Sequence, residues 1–254
     1  MTDAQYDSDC TDRGRIATMS MSMSGGVIAI VPARGGSKRI ARKNIRPFLG
    51  VPLLTRAIRT LRASEIFDRI VVSTDDDDIA GVAKDNGAEV PFMRPPGLSG
   101  DHTPTIPVIA HAVAELERQG AAARFVCCTY PAAVLVEPAD YVTALGVLKD
   151  SGADYVFTST SFGFPIHRAL RRLPDGGCEM FWPEHRATRS QDLPPAFHDA
   201  GQFYFGRRDA WLQQREFFSP SSRMHVLPRL RVQDIDSCED WERAEMLFRL
   251  TGGE

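Results

Sequence analysis

From Val27 onward, short runs of consecutive apolar residues alternate with longer stretches whose apolar positions recur every three or four residues. Val27–Val31 is too short for a helix and rich in β-branched side chains, which predicts a buried strand. Leu54, Ile58 and Leu61 share one face of a helix over Leu53–Ser64. Arg69–Ser73 reads as a second strand, and Thr74 and Asp77 have capping-box-like spacing at the start of a helix over Asp77–Asn86. Gly87 stands where a helix C-terminal glycine is expected. A third strand, Glu89–Phe92, precedes a Pro/Gly loop at Pro95–Asp101 and a helix over Ile106–Gln119. Strand Phe125–Thr129, helix Pro138–Ser151 and strand Tyr155–Ser159 continue the alternation. Strands and helices taken in turn predict an α/β fold on a doubly wound, mainly parallel sheet.

Two stretches depart from this pattern. Residues 1–24 carry Asp, Ser, Thr and a Met-Ser repeat without periodicity, and read as a disordered N-terminal tail. Met19, Met21 and Met23 are alternative starts within it. Between Thr160 and Ala200, aromatics, prolines and short polar pieces show no period, which predicts an inserted, hairpin-rich segment covering the site. Strand Gln202–Phe205 and helices Arg208–Gln214 and Asp240–Phe248 then close a single domain over residues 25–254.

The loop after the first strand holds the clearest chemistry. Arg34-Gly35-Gly36-Ser37-Lys38-Arg39 is followed by Arg42-Lys43-Asn44, so five cations, a hydroxyl and two adjacent glycines crowd one small volume. Gly35 and Gly36 let the backbone turn tightly and approach a ligand closely. Ligands of open α/β sheets bind at the carboxyl ends of the strands, where this loop falls. The residues suit a polyphosphate. The spacing matches neither a P-loop nor the Gly-x-Gly-x-x-Gly dinucleotide fingerprint, which argues against a dehydrogenase. The acid run Asp75–Asp78 reads as carboxylates favouring a helix N-terminus rather than as a metal site.

Asp234 and Asp236 flank Ile235. In an extended segment both carboxylates would lie on one face of a strand end, and such hard oxygen ligands suit Mg²⁺. The competing reading gives Asp236 a turn or capping role ahead of Ser237-Cys238-Glu239-Asp240.

Composition narrows the class further. The 254 residues carry a net charge of -3, so the cations are local and a general nucleic-acid or membrane-surface binder is not indicated. The apolar runs fall short of a membrane span, and the polar, acidic N-terminus lacks signal-peptide features. Five cysteines without Cys-x-x-Cys argue against a disulfide framework or zinc site and fit a reducing cytoplasm.

Pro32-Ala33-Arg34-Gly35-Gly36-Ser37-Lys38 with Lys43-Asn44 resembles the signature loop of the cytidylyltransferases that activate sialic-acid-type sugars. Val72-Ser73-Thr74-Asp75, Met93-Arg94-Pro95, Arg189-Ser190-Gln191-Asp192-Leu193, His198-Asp199-Ala200-Gly201-Gln202-Phe203-Tyr204 and Gln233-Asp234-Ile235-Asp236 follow in the family's order. Cys127-Cys128, Phe164-Pro165-Ile166 and Phe181-Trp182-Pro183-Glu184-His185 are most similar to the branch that acts on pseudaminic acid. The resemblance implies a Rossmann-like nucleotidyltransferase sheet, a cytoplasmic homodimer formed through segment 160–200, and a Mg²⁺-dependent reaction. In that reaction CTP and an acidic nine-carbon sugar give a CMP-sugar and pyrophosphate.

It also implies roles. Arg34, Lys38 and Lys43 match the family's triphosphate cations, with Arg34 and Lys38 the pair nearest the developing charge; Lys43 could instead be a surface cation. Gly35, Gly36, Ser37 and Asn44 match its nucleotide loop, and Arg94, Thr103 and Thr105 fall where it reads cytosine and the nearby nucleotide. Thr105 could equally cap the helix that follows. Tyr130, Arg189, Gln191, His198, Gln202 and Tyr204 match the sugar end by type and position, and Asp234 and Asp236 match its metal-binding Asp-Ile-Asp. One departure stands out: Tyr130-Pro131-Ala132 puts Ala132 where the family carries a sugar-contacting threonine. Sialic, legionaminic or ketodeoxyoctonic acid is therefore an alternative acceptor, and a catalytically silent nucleotide-binding module is the alternative of another class.

Overall fold

The computed structural model describes residues 25–252, and the tail expected over residues 1–24 lies outside them. The chain runs β1 (Gly26–Pro32), β2 (Pro47–Phe48), β3 (Val51–Pro52), α1 (Leu53–Ala63), β4 (Arg69–Ser73), α2 (Asp77–Asp85), α3 (Thr105–Arg118), β5 (Ala123–Thr129), α4 (Pro138–Ser151) and β6 (Tyr155–Ser161). It continues through β7 (Leu170–Arg172), β8 (Cys178–Met180), β9 (Phe197–Arg207), α5 (Arg208–Leu212), β10 (Ser222–Val226) and α6 (Cys238–Leu250). Six strands form one sheet in the order β10-β6-β9-β5-β1-β4. Only β9 runs antiparallel to its neighbours, β5 and β6. The sheet is thus the expected doubly wound, mainly parallel one. No helix among the described residues is long and apolar enough to cross a membrane.

Both faces of the sheet are covered, which explains why its central strands read as unbroken apolar runs. Ala29 and Val31 of β1 pack with Leu54, Ile58, Leu61 and Tyr141 on one side. Ile28 and Ile30 face Ile109, Val113 and Trp211 on the other. A third cluster joins distant parts of the chain: Ile40, Phe48 and Leu53 pack with Val134, Leu135, Ile235 and Trp241. It seats α6 and the segment before it against the loop that follows β1.

Between β4 and β5 the chain crosses from one side of β1 to the other, so the switch point of the winding lies between β1 and β5. Ligands of such sheets bind in the crevice beyond the strand ends at that point.

Several local expectations are corrected. Glu89–Phe92 is not a strand: only Glu89 bridges β4, receiving the Val72 N–H and donating to Ile70 at 2.8 Å each. Pro91 has no N–H to extend the ladder. The cap of α2 is Asp76, whose carboxylate accepts from the Ile79 N–H at 2.9 Å, so Thr74 is not the N-cap. Strand β9 begins at Phe197, so the end of the expected insertion belongs to the central sheet. What lies between β6 and β9 holds the β7–β8 hairpin and short 3-10 turns. The sequence reading had no counterpart for β10 or for the β2–β3 ribbon.

A buried charge network ties the edge of the sheet to α4. The Asp140 carboxylate accepts from Arg231 at 2.6 and 3.2 Å and from His225 Nε2 at 3.1 Å. Burial alone would raise its pKa, but the bonds from His225 and Arg231 outweigh that and hold it at about 2. A carboxylate with a depressed folded pKa contributes stability that is full above its unfolded value and is lost as pH falls through the folded one. Acidification from about pH 4 to pH 2 should therefore remove about 2 kcal/mol through this residue. Urea unfolding against pH should show a smaller loss over that window in Asp140→Asn than in wild type, and an equal loss would contradict the assignment.

Candidate active site

The loop after β1 is shaped by contacts that leave little freedom. The Ala33 N–H donates to Ser73 at 3.0 Å, prolonging the pairing with β4. A Cβ on Gly35 would meet the Asp76 carboxylate at 2.5 Å, so the backbone here comes closer to α2 than any side chain would allow. The Gly35 N–H donates to Asp75 at 3.0 Å, and Arg42 pairs with Asp78 at 2.7 Å. The acid run thus caps α2 and pins the basic loop, as its helix-start reading implies. Asn44 is buried and donates from Nδ2 to the Arg34 carbonyl at 3.0 Å, so it braces the turn from within.

Beyond the ends of β1 and β5 lies a cavity of about 430 Å³. Arg34, Ser37, Lys43 and Asn44 form one side of it, and Arg94, Thr103 and Thr105 another. Tyr130, Tyr204, Asp199 and Asp234 complete the wall. The exposed Lys38 sits beside this cavity, in a small cleft shared with Arg34, Lys43 and Asp236. Of the nucleotide-side residues expected from the sequence, Ser37, Asn44, Arg94, Thr103 and Thr105 therefore gather in one place, while Gly35 and Gly36 do not line it.

Each cation has a carboxylate partner or a buried anchor. Arg34 pairs with Asp101 at 2.7 Å, and Lys38 pairs with the other oxygen of the same carboxylate. The Lys38 and Arg34 contacts hold the Asp101 carboxyl below its ordinary range. Lys43 donates to the Ile235 carbonyl at 2.6 Å and lies 3.3 Å from Asp236, which also pairs with Arg39 at 2.8 Å. Arg94 is buried, with Nε donating to the Ser73 hydroxyl at 3.1 Å and Nη2 to the Ser73 carbonyl. Burial lowers its pKa, which marks a desolvated cation at the cavity floor, where a charge acts at longer range than in water.

Asp234 and Asp236 are held in a loop rather than a strand, with the fully buried Ile235 as the anchor between them. Asp234 faces the cavity with no ion pair among the described residues, although Lys43 is close enough to act on its charge, and Asp236 turns toward Lys43 and Arg39. Partial desolvation raises the Asp234 pKa, and the like charge of Asp236 adds to the rise. A bound divalent cation would reverse both effects. Among the described residues no three His, Cys, Asp or Glu side chains gather as an all-protein metal cage. The capping role considered for Asp236 falls to Ser237, which forms a capping box with Asp240.

On the other flank, the Thr105 and Tyr130 hydroxyls hydrogen-bond each other, and Tyr204 donates its phenol to Asp199. Burial pushes both phenols up, so they act as neutral hydrogen-bonding groups. Thr105 is the first residue of α3 and makes no capping bond, which leaves its hydroxyl to the cavity.

The remaining sugar-side residues are not brought to this wall. His198 donates from Nδ1 to the Asp199 carbonyl at 2.9 Å and faces a second cavity, beside Phe162. Gln202 is buried within β9 and donates to the Ala200 carbonyl at 2.8 Å. Arg189 and Gln191 lie exposed at a 3-10 turn of the inserted segment, and no residue of 162–196 lines the first cavity. Asp101 and Asp199 escaped the sequence reading. Asp199 sits inside a motif that was recognised but assigned through its neighbours, and Asp101 carried no signal beyond ending a Pro/Gly loop.

Clustered cations facing carboxylates, at the switch point of a doubly wound sheet, are what nucleotidyl transfer requires. A cytidylyltransferase family profile matches residues 28–235. The chain is 41% identical over 223 residues to a pseudaminic acid cytidylyltransferase of Campylobacter jejuni, a match covering 88% of this chain and 96% of that one. It is 27% identical to the CMP-N,N'-diacetyllegionaminic acid synthase of Legionella pneumophila, over 88% of this chain and 97% of that one. The solved structure of a CMP:2-keto-3-deoxy-manno-octonic acid synthetase complexed with CTP superposes with a TM-score of 0.64 at 16% identity, over 89% of this chain and 100% of that one. The chain belongs to the cytidylyltransferase family.

A triphosphate that reaches Arg34 and Lys38 must displace Asp101. Both of its ion pairs are exposed and therefore individually weak. Asp101→Asn should then tighten CTP binding by roughly 2- to 10-fold, as read by titration calorimetry. Weaker binding would show that Asp101 assists the nucleotide rather than standing in for it.

Proposed function

We propose that the protein transfers CMP from CTP to the anomeric hydroxyl of pseudaminic acid, releasing pyrophosphate, with Mg²⁺ as its metal. The observation that carries this reading is the meeting of the β1 loop cations with Asp234 at the main cavity and with Asp236 at the small cleft that shares Arg34, Ser37 and Lys43 with it. The identity to the Campylobacter jejuni enzyme supports the acceptor. In the reaction the sugar oxygen bonds to the α-phosphorus and gives up its proton, the bond from that phosphorus to the β-phosphate oxygen breaks, and pyrophosphate leaves with the electron pair.

Charge gathers on phosphate oxygens in this step, so the protein contributes positioning and electrostatics. Arg34, Lys38 and Lys43 face the triphosphate, and the N–H-rich turn at Gly35 and Gly36, with Ser37, lets it approach closely. Arg94, Thr103 and Thr105 take the cytidine side. Asp234 and Asp236 would hold the Mg²⁺, which binds through one or two carboxylates plus substrate phosphates. Bound there, the ion neutralises charge on the phosphates.

Tyr130 and Tyr204 orient the sugar from this chain. Arg189 and Gln191, remote from this chain's own cavity, fit a homodimer in which the insertion of one copy reaches the site of the other. Phe164 is 87% exposed on that segment, which also exposes Leu170 and Phe181, and a second copy would cover them. The protein acts in the cytoplasm, where CTP is made. Ala132 lies in the cavity wall, so this wall offers the sugar a methyl group and no hydroxyl.

Pyrophosphate release from CTP with purified pseudaminic, sialic, legionaminic or ketodeoxyoctonic acid tests the reading. Pseudaminic acid should give the highest kcat/KM, EDTA should abolish turnover, and Asp234→Asn should lower kcat by roughly 100-fold or more, in line with losing one electrostatic stabiliser. Unchanged turnover in Asp234→Asn would remove this residue from the mechanism. A wild type inert toward all four acids would favour a silent nucleotide-binding module.

A further inference from the structure

The last residue of β4, Ser73, is fully buried and grips a single side chain with both of its oxygens. Its hydroxyl accepts from Arg94 Nε at 3.1 Å, and its carbonyl accepts from Arg94 Nη2. One residue on, the Thr74 carbonyl accepts the Arg94 N–H at 2.7 Å. Main chain and side chain of Arg94 are thus both tied to the end of β4, where Ser73 pairs with Pro32 of β1. A buried charge is ordinarily met by an opposite one. Arg94 is buried yet forms no ion pair among the described residues, although the Asp75 charge reaches it.

The shape of a guanidinium gives this arrangement a consequence. Two of its edges present parallel pairs of N–H groups, Nε with Nη2 and Nη2 with Nη1. Ser73 occupies the first pair with its hydroxyl and carbonyl. The second pair has no hydrogen-bond partner among the described residues, and Arg94 lines the first cavity together with Thr103 and Thr105. Two parallel donors match two adjacent acceptors, and cytosine carries such a pair in its N3 and O2. Uracil bears a hydrogen on N3, so one donor would face another.

We infer that Ser73 is a positioning residue for base recognition: by holding one edge of Arg94 it aims the other at the N3–O2 edge of cytosine, and so sets the preference for CTP over UTP. The inference rests on the placement of Arg94 on the cytidine side and deepens that reading. Two hydrogen bonds fix the plane of the guanidinium, whereas the carbonyl alone would leave it free to pivot. That carbonyl also accepts the Ala33 N–H at 3.0 Å, at the root of the basic loop. Removing the hydroxyl leaves this backbone bond in place, so the base side can be perturbed apart from the triphosphate side.

The test titrates CTP and UTP by calorimetry into wild type, Ser73→Ala, Ser73→Thr, Arg94→Gln and the double variant Ser73→Ala/Arg94→Gln. No acceptor sugar enters the readout, and the ratio of two affinities on one sample is insensitive to a loss of folded protein. Ser73→Ala should lower the preference for CTP roughly 5- to 50-fold, the scale of misplacing one bidentate contact to a base. Ser73→Thr keeps the oxygen and should retain most of the preference. Arg94→Gln should lose at least as much as Ser73→Ala, and the double variant should lose little more than Arg94→Gln alone. A preference unchanged in Ser73→Ala but lost in Arg94→Gln would overturn the role of Ser73 and leave Arg94 on the base. An equal loss in Ser73→Thr, or losses that add in the double variant, would also overturn it, because Ser73 would then act without aiming Arg94. A preference unchanged in both single variants would take the base away from Arg94 as well, leaving the family assignment intact.

Discussion

Lys43 reaches across 192 positions of sequence to donate to the Ile235 carbonyl, and its charge lies beside Asp236. This contact joins the two halves of the site. Without it, the loop after β1 would be a cluster of repelling cations and the C-terminal acids a repelling pair. Held together, each offsets the other, and the half-buried lysine is fixed by a backbone acceptor rather than by a flexible surface pair. Ile235 makes the arrangement rigid: it is fully buried against Ile40 and Trp241, so Asp234 and Asp236 cannot shift without opening that cluster.

The same logic runs through the rest of the site. Asp75, Asp76 and Asp78 bind the loop to α2, and Asn44 braces it from inside. Asp101 neutralises Arg34 and Lys38 from a loop that could yield to an incoming phosphate. Asp234 faces the cavity and, among the described residues, forms no ion pair, though the Lys43 charge reaches it. The loop cations are thus held in place by carboxylates before any phosphate arrives, which is the preorganisation that electrostatic catalysis demands.

How much of this was legible in the sequence follows from the range of each interaction. Strands such as β1 and β5 were readable because covering both faces of a sheet forces a continuous apolar run. The helices α1 and α4 were readable because one buried stripe imposes its own period. Strand β10 was not, since it is an edge strand whose Met224 and Val226 stay exposed and whose pattern carries no alternation into the core. Glu89–Phe92 looked like a strand because its apolar content is right, and Pro91 undid it by removing a donor. The basic loop announced its chemistry through residue type alone. The pairing of Asp101 with Arg34 and the packing of Ile235 on Ile40 depend on contacts between remote segments, which local periodicity does not encode.

The most direct measurement is a crystal structure of the protein with CTP and Mg²⁺. The account predicts the triphosphate along the Arg34–Lys43 loop with Asp101 displaced, cytosine beside Arg94 and Thr103, and the metal on Asp234 and Asp236. A triphosphate bound elsewhere, or those two aspartates turned away from it, would contradict the account.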